Sequence, residues 1–242
     1  MYVIPAVDIM DGNVVRLVKG NPADKVVYGN DPVETAKKWE NAGADLLHVV
    51  DLDATLRTGR KNAEYISMIL DAVKIPVEVA GGIRSIPAVN QMFKKNAAKV
   101  VLGTMAYKDP ESIRKLAKKN QNKIIVSLDE NNGSVMIDGW RETTGSSVID
   151  SMAFFMELGI REFLLTSVNR DGTMNGPDTT MLSSAVRFAS ANMFASANII
   201  ASGGISSVED AIKVRNVGCS AVILGKALYE GKLSVEKVKA IS

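Results

Sequence analysis

Cysteine and histidine are almost absent from this sequence, which has one of each in 242 residues. Cys219 alone cannot form an internal disulfide, and together with His48 it supplies too few ligands for a zinc site of the His/Cys type. Cys219 also lies beside a predicted strand, where buried packing is the simpler role. A single cysteine is typical of a protein in a reducing compartment, so we expect a cytoplasmic location.

The sequence also lacks a charge excess, long apolar runs and cofactor motifs. Its 29 basic and 27 acidic residues nearly balance and form no basic cluster, which argues against a nucleic-acid surface. No apolar run reaches the roughly 18 residues of a membrane span, and the N-terminus does not resemble a signal peptide. A dinucleotide fingerprint, a Walker-type lysine loop and an evident Schiff-base lysine are missing. We therefore expect neither cofactor nor metal.

One phrase occurs twice in the chain, at 76–104 and again at 198–226. Each copy contains an apolar run, Gly-Gly-Ile, a helix-like segment, a second apolar run and another glycine 22 positions after the first. Glycine allows positive φ and close approach of the backbone, and N–H groups at such loops favour an anion. A tight turn would explain one glycine pair equally well. Two copies with the same spacing favour a pair of phosphate-binding loops.

Apolar runs alternate with amphipathic segments from end to end. They predict eight strands at 2–7, 45–50, 76–80, 99–102, 123–128, 162–167, 197–202 and 220–224. They predict eight helices near 32–42, 62–74, 85–96, 109–120, 146–158, 179–192, 207–216 and 234–241. This pattern is typical of an α/β fold of the (β/α)8 TIM-barrel type, one domain over 1–242, with half-barrels of about 1–120 and 121–242. A doubly wound sheet is the alternative, but it does not explain the half-chain repeat.

Four long connections follow predicted strand ends, at 8–31, 51–61, 129–145 and 168–178. They belong to the barrel face that carries active sites, and long ordered loops are usually functional. Arg16 lies in the connection after the first strand, and Trp140 and Arg141 lie in the connection after the fifth. A guanidinium and an indole suit a phosphorylated, flat heterocyclic ligand, although exposed loop residues without function are common.

Two aspartates stand at matching positions of the two halves. Asp8 follows the first predicted strand and Asp129 the fifth, so the two would face each other across a ring of eight strands. Either acid alone could cap a loop or pair with an arginine. A neutral and an ionised carboxyl group together make an acid–base pair, provided that their surroundings separate their pKa values.

The second and sixth units match as well, since "LLHVVDLDAT" aligns with "LLTSVNRDGT". His48 then falls opposite Thr166, and Asp53 opposite Asp171. Thr166 offers a hydroxyl at a strand end, or serves as a β-branched strand residue. His48 either contacts a ligand or is a hydrogen-bonded core histidine, and Asp171-Gly172 either contacts a ligand or forms a turn. The layout suits an elongated ligand with a phosphate at each end that reacts in its middle.

Segments that carry a family resemblance run in order through nearly the whole chain. They are "IPAVDIMDGNVVRLVKG", "LLHVVDLDAT", "VEVAGGIRS", "VVLGT", "SLDENNG", "LLTSVNRDGTMNGPD", "ASGGISS" and "ILGKALYEGKL". Together they resemble the isomerases of histidine biosynthesis that act on phosphoribosylformimino-aminoimidazole-carboxamide ribotide.

The resemblance implies an Amadori rearrangement of an aminoaldose to an aminoketose, without a cofactor. The family's general base corresponds to Asp8, its general acid to Asp129 and an assisting threonine to Thr166. The acid opens the ribose to a Schiff base by protonating the ring oxygen, and the base removes the C2′ proton. The bisphosphate-binding loops correspond to Gly81, Gly82, Gly103, Thr104, Gly203, Gly204, Gly225 and Lys226. Further substrate contacts are expected from Arg16, His48, Trp140, Asp171 and Gly172, in a chain acting as a monomer on a small molecule.

Some features keep other readings open. Alanine occupies positions 54 and 80, where the family often has glycine, which bears on the first phosphate site. "LLTSVNRDG" also resembles the sister cyclase, imidazole-glycerol-phosphate synthase, although the cyclase-type start is absent. An isomerase that also accepts phosphoribosyl anthranilate is a third reading. A barrel that senses a phosphorylated metabolite without turnover is the non-enzymatic alternative.

Overall fold

Eight parallel strands close into a barrel in the computed structural model, which describes residues 1–59, 62–120, 122–191 and 196–242. The strands are β1 (Tyr2–Met10), β2 (Asn13–Val18), β3 (Asn21–Gly29), β4 (Leu47–Asp51), β5 (Val77–Ala80), β6 (Lys99–Leu102), β7 (Ile124–Asn131), β8 (Ser134–Ile137), β9 (Glu142–Thr143), β10 (Glu162–Ser167), β11 (Asn198–Ser202) and β12 (Ala221–Leu224). The ring runs β1, β4, β5, β6, β7, β10, β11, β12 and returns to β1, with every pair parallel. The predicted (β/α)8 barrel is confirmed.

Helices lie in the connections between these strands. They are α1 (Pro32–Asn41), α2 (Leu52–Leu56), α3 (Ala63–Ala72), α4 (Ile86–Lys94), α5 (Thr104–Lys108), α6 (Pro110–Lys119), α7 (Val148–Glu157), α8 (Thr179–Ala191), α9 (Val208–Val217), α10 (Lys226–Tyr229) and α11 (Val235–Lys239). The eight predicted strands and the eight predicted helices each agree with the structure to within about three residues at each end. Position 192, predicted as the end of a helix, and positions 60 and 61 of the second connection lie outside the described residues.

The helix starts follow from their capping residues. The side chain of Asp31 accepts hydrogen bonds from the backbone N–H groups of Val33 and Glu34, and Pro32 occupies the first helical position. Asp109 caps α6 in the same way, with Pro110 next. A capping carboxylate satisfies N–H groups that have no partner within the helix, and proline there loses no hydrogen bond.

The first and fifth connections were predicted wrongly as loops, and in the fifth β8 pairs antiparallel with both β7 and β9. Strand β1 continues to Met10, β2 pairs antiparallel with β1, and β3 pairs antiparallel with β2. Both two-residue turns have positive φ throughout, 53° and 71° at Asp11-Gly12 and 50° and 70° at Lys19-Gly20. Such turns match the twist of paired strands, so β-branched segments around a residue followed by glycine form a hairpin.

Two apolar layers hold the barrel together. Inside it, side chains from alternate strand positions pack in a cluster that includes Ile4, Leu46 and Ile125. Outside it, a larger cluster lies between the strands and the helices. No helix in the described part of the chain has both the length and the apolar character needed to cross a membrane. The loops at the carboxyl ends of the strands are thus fixed by a rigid ring beneath them.

Candidate active site

A cavity of about 220 Å³ opens at the carboxyl ends of the barrel strands. All eight barrel strands contribute at least one lining residue, and a smaller cavity of about 20 Å³ adjoins it beside β11 and β12. The two cavities share Arg16, Asp171, Ser202 and Ile223 as walls. This is the barrel face on which ligands and reactive groups are usually found.

Asp129 stands at the end of β7 and faces the larger cavity. Burial raises the pKa of its carboxyl group, while hydrogen bonds from Trp140, Ser127 and Thr166 lower it in part. The Ser127 hydroxyl donates to the carboxyl oxygen Oδ1 at 2.8 Å. The net shift is towards the protonated form, which is the form that a general acid requires.

Asp8 borders the same cavity from β1, but its surroundings are different. Its oxygen Oδ2 accepts a hydrogen bond from Nη1 of Arg16 at 2.7 Å, in a salt bridge with both side chains largely buried. Arg16 is 8% exposed and projects from β2, so the predicted loop residue is a strand residue. The salt bridge pairs Asp8 as a carboxylate, which is the form a general base needs.

Asp171 is a third carboxyl group between the two cavities. Burial raises the pKa of Asp171 to about 6, Arg16 opposes the rise, and the negative charges of Asp8 and Asp129 add to it. The neighbouring Gly172 has φ of 70°, and a Cβ there would lie 2.6 Å from the backbone oxygen of Leu17. The sixth connection therefore packs directly on the hairpin that carries Arg16.

The predicted equivalence of His48 and Thr166 is wrong, because Val50 pairs with Asp8 and Ala80 as Thr166 pairs with Asp129 and Ser202. His48 lies two positions before the place on β4 that matches Thr166 on β10. Both are buried and both line the larger cavity. Thr166 is the register partner of Asp129 in the parallel ladder, which brings its hydroxyl to that carboxyl group. His48 places Nδ1 2.6 Å from Oε1 of Glu78. The histidine is thus both a hydrogen-bonded core residue and a wall of the cavity.

The first glycine cradle comprises Gly81, Gly82, Gly103 and Thr104. Both Gly81 and Gly82 have positive φ, and a Cβ on Gly82 would collide with Ala54, so the alanine methyl group packs where the loops meet. Gly103 begins α5 without a side-chain cap, which leaves first-turn N–H groups for a ligand.

Arg84 borders the cavity at this first cradle, and two further arginines pair with Asp138, another of its walls. Arg57 lies 2.6 Å from Asp138, and Arg141 lies 3.0 Å from the same carboxylate. Burial lowers the pKa of Arg84, and the positive charges of Arg57 and Arg141 lower it further. One carboxylate thus faces several cations, so the potential at the cradle remains suited to an anion.

The second cradle repeats this backbone. Gly203 and Gly204 have φ of 92° and 81°, close to the 95° and 65° of Gly81 and Gly82 in the first cradle. Gly225 begins α10 without a side-chain cap, and Lys226 follows. The guanidinium of Arg16 lies so close to Gly225 that a Cβ there would collide with it. The smaller cavity is therefore narrow because Arg16 fills part of it.

Every residue predicted for the site borders one of the two cavities. In the larger cavity these are Asp8, Arg16, His48, Gly81, Gly82, Gly103, Thr104, Asp129, Trp140, Thr166 and Asp171. In the smaller one they are Gly172, Gly203, Gly204, Gly225 and Lys226, together with Arg16 and Asp171.

Two side chains singled out by the sequence lie elsewhere. Asp53 is 2% exposed and accepts hydrogen bonds from the Asp11 backbone at 2.6 Å and the Asn62 amide at 3.0 Å, so it holds the first two connections together. Arg141 borders neither cavity.

Sequence reasoning missed Ser127 and Arg84. Ser127 lies two positions before Asp129 on the same strand, a spacing that puts both on one face. Arg84 directly follows the first Gly-Gly-Ile and donates to the backbone oxygen of Ala54 at 2.9 Å. Both signals were present in the sequence.

These features define a (β/α)8-barrel protein with a ligand cavity at the strand ends and a glycine cradle on either side. The sequence model described as "Histidine biosynthesis protein" matches residues 2–234, and the chain belongs to this family.

Several relatives share almost the full length of the chain. One, from Cenarchaeum symbiosum, is 50% identical over 98% of both chains. Another, from Nitrosopumilus maritimus, is 47% identical over 100% of this chain and 99% of its own. A third, from Persephonella marina, is 42% identical over 98% of both. Each is named 1-(5-phosphoribosyl)-5-((5-phosphoribosylamino)methylideneamino) imidazole-4-carboxamide isomerase.

Proposed function

We propose that the chain is the isomerase of histidine biosynthesis that converts the bisphosphorylated aminoaldose ribotide to its aminoketose. The observation that carries the proposal is that Asp8 and Asp129 face one cavity from opposite strands in contrasting surroundings. The full-length similarity to isomerases of this name supports the substrate.

Asp129 acts as the general acid. Its raised pKa favours the protonated form, and the proton goes to the ring oxygen of the ribose, so that the ring opens to a Schiff base. Thr166 and Ser127 hold the carboxyl group in place and stabilise the anion that remains after transfer.

Asp8 acts as the general base and removes the proton from C2′ of the Schiff base. Arg16 holds its carboxylate in position at 2.7 Å before the substrate binds. Proton transfer between the carboxyl groups and the substrate accounts for the rearrangement, so the proposal involves neither a cofactor nor a metal.

The two glycine cradles bind the two phosphates of the substrate. Binding at both ends orients the reacting carbon between the acids and supplies much of the entropic advantage of the enzyme. The remaining substrate contacts proposed are Arg16, His48, Trp140, Asp171 and Gly172. Since both cavities and both acids lie within one chain, we also propose that the active form is a monomer. We propose a cytoplasmic location because a lone cysteine suits a reducing compartment.

The experiment is an assay of purified protein with the ribotide, without added ammonia or a glutaminase. We expect turnover by the native chain and its loss in Asp8→Asn and in Asp129→Asn, each of which should still bind substrate in calorimetry. Glu111→Gln, an exposed helix residue, is the matched control and should keep full activity. A requirement for ammonia would favour the cyclase, and binding without turnover would favour the sensor. Phosphoribosyl anthranilate in the same assay tests dual specificity.

A further inference from the structure

A column of charged side chains runs through the lower half of the barrel, beneath the cavity. Glu78 on β5 is fully buried, and its register partner on β6 is Lys99. Across the barrel, Nζ of Lys99 lies 2.7 Å from each carboxyl oxygen of Glu162 on β10. One lysine therefore faces two carboxyl groups in the barrel interior.

Glu78 connects this column to the cavity. Its oxygen Oε1 lies 2.6 Å from Nδ1 of His48, and Oε2 is buried without a hydrogen-bond partner among the residues that the structure describes. His48 lines the cavity, and with Nδ1 engaged by Glu78, Nε2 is the ring nitrogen left for a ligand.

The net charge of Glu78, Lys99, Glu162 and His48 determines which of these side chains carries a proton. With both carboxyl groups ionised and His48 neutral, the interior would carry a net negative charge, which is costly in a low-dielectric core. Burial raises the pKa of Glu162 and Lys99 opposes the rise, but Lys99 engages both oxygens of Glu162, so a proton there would break one of these bonds. The compensating proton is therefore held by the pair of His48 and Glu78.

Two arrangements of that proton satisfy the balance with every hydrogen paired, since a proton on Oε2 of Glu78 would find no acceptor among the described residues. Either His48 is an imidazolium beside ionised Glu78, or neutral His48 accepts a hydrogen bond at Nδ1 from protonated Glu78. In both arrangements Nε2 carries a hydrogen. A bare Nε2 occurs when neutral His48 donates through Nδ1 to ionised Glu78, which is the state that leaves the interior negative.

We propose that Glu78 is a positioning residue that keeps a hydrogen on Nε2 of His48, so that the histidine donates a hydrogen bond to a ligand oxygen in the cavity. The ligand class is an oxygen-rich phosphorylated sugar derivative, and in this respect the inference rests on the proposed function. The oxygen that His48 reaches lies in the middle of the molecule, between the two cradles.

Other charged groups around His48 agree with a donor. Above it, with Asp129 taken as the protonated general acid, the other charged cavity walls are the carboxylates of Asp8, Asp138 and Asp171 and the guanidinium groups of Arg16 and Arg84. A proton on His48 is therefore favoured from the cavity side as well as from the column of Lys99 and Glu162 below.

The presence of a single histidine makes the test direct. In ¹⁵N-labelled native protein without ligand, the imidazole signals belong to His48 alone, and their shifts and couplings show which nitrogen carries hydrogen. We expect a proton on Nε2 at pH 7 and at pH 8. A bare Nε2 with the hydrogen on Nδ1 at pH 7 would overturn the proposal, whatever the enzyme catalyses.

Glu78→Gln removes the charge but keeps the size of the side chain, and Glu111→Gln is the control with the same change of net charge at an exposed site. We expect the imidazole ¹⁵N shifts of His48 to change in Glu78→Gln and to stay constant in Glu111→Gln. Equal shifts in Glu78→Gln and native protein would contradict the proposal.

Turnover supplies the second readout. We expect kcat/KM of Glu78→Gln to fall about tenfold at pH 8, the size expected for one hydrogen bond to a charged group, and to recover towards pH 6 as His48 regains its proton. A loss of equal size at both pH values would show a merely structural role. Absence of ribotide turnover in the native protein would reject the proposed function, while the NMR result would still decide the state of His48.

Discussion

Replacing Asp171 by asparagine is expected to stabilise the folded chain at neutral pH. Burial raises the pKa of this carboxyl group from 3.8 to about 6. A group whose pKa is higher in the folded than in the unfolded chain contributes stability below its unfolded pKa, and this contribution is lost as the pH rises through the folded pKa. Ionised Asp171 therefore costs stability at pH 7.

The size of the effect follows from the shift. About two pKa units correspond to roughly 3 kcal/mol at pH 7.5, and the same two pKa values give roughly 1.6 kcal/mol at pH 5. Both are upper bounds, since the side chain borders the cavity. We expect Asp171→Asn to gain about 1 to 3 kcal/mol at pH 7.5 and about half as much at pH 5.

Urea unfolding of native and variant protein at both pH values measures this difference. Asp71→Asn, an exposed change at the end of α3, should shift the free energy of unfolding by less than about 0.5 kcal/mol. An Asp171→Asn variant that is less stable at pH 7.5, or whose gain does not change with pH, would refute the reasoning. We also expect its turnover to fall, because the carboxylate borders both cavities.

Three further changes separate binding, proton transfer and folding. Gly103→Ala has space for its methyl group in the free protein, so it should unfold like Gly29→Ala in urea while its KM rises about tenfold or more, because the methyl group enters the first cradle. Trp140→Phe removes a hydrogen bond that lowers the pKa of Asp129, so the alkaline limb of the kcat/KM profile should move to higher pH, and an unmoved limb would argue against this donor. Asp31→Ala removes the cap of α1 and should cost about 1 kcal/mol in urea unfolding without changing kcat.

Periodicity and capping residues predicted the barrel because they depend on neighbours in the chain. The segments around Ile4 and Ile125 are almost continuously apolar, as buried barrel strands are. Asp31-Pro32 is a local helix-start signal that does not depend on the rest of the fold. The hairpin after β1 was missed because its two glycine turns were taken for loop, although a residue followed by glycine between β-branched runs is a hairpin signal.

Contacts across the ring were harder to predict. The repeat placed Asp8, Asp129 and Thr166 at one mouth, because equivalent strand ends must meet there. The pairing of Arg16 with Asp8 depends on the hairpin register. The pairing of Glu78 with His48 depends on the register between β4 and β5. A register between two strands cannot be predicted from the sequence of either strand alone.

The participation of all eight barrel strands in one cavity ties occupancy to the integrity of the whole ring. A ligand in the cavity binds the closed barrel and not a partly opened form. It therefore raises the free energy of unfolding by RT ln(1 + [L]/Kd), where [L] is the free ligand concentration. The increase is about 2.7 kcal/mol when that concentration is a hundred times Kd. Melting temperature can therefore rank candidate metabolites by how tightly they are held, even for variants in which no product forms.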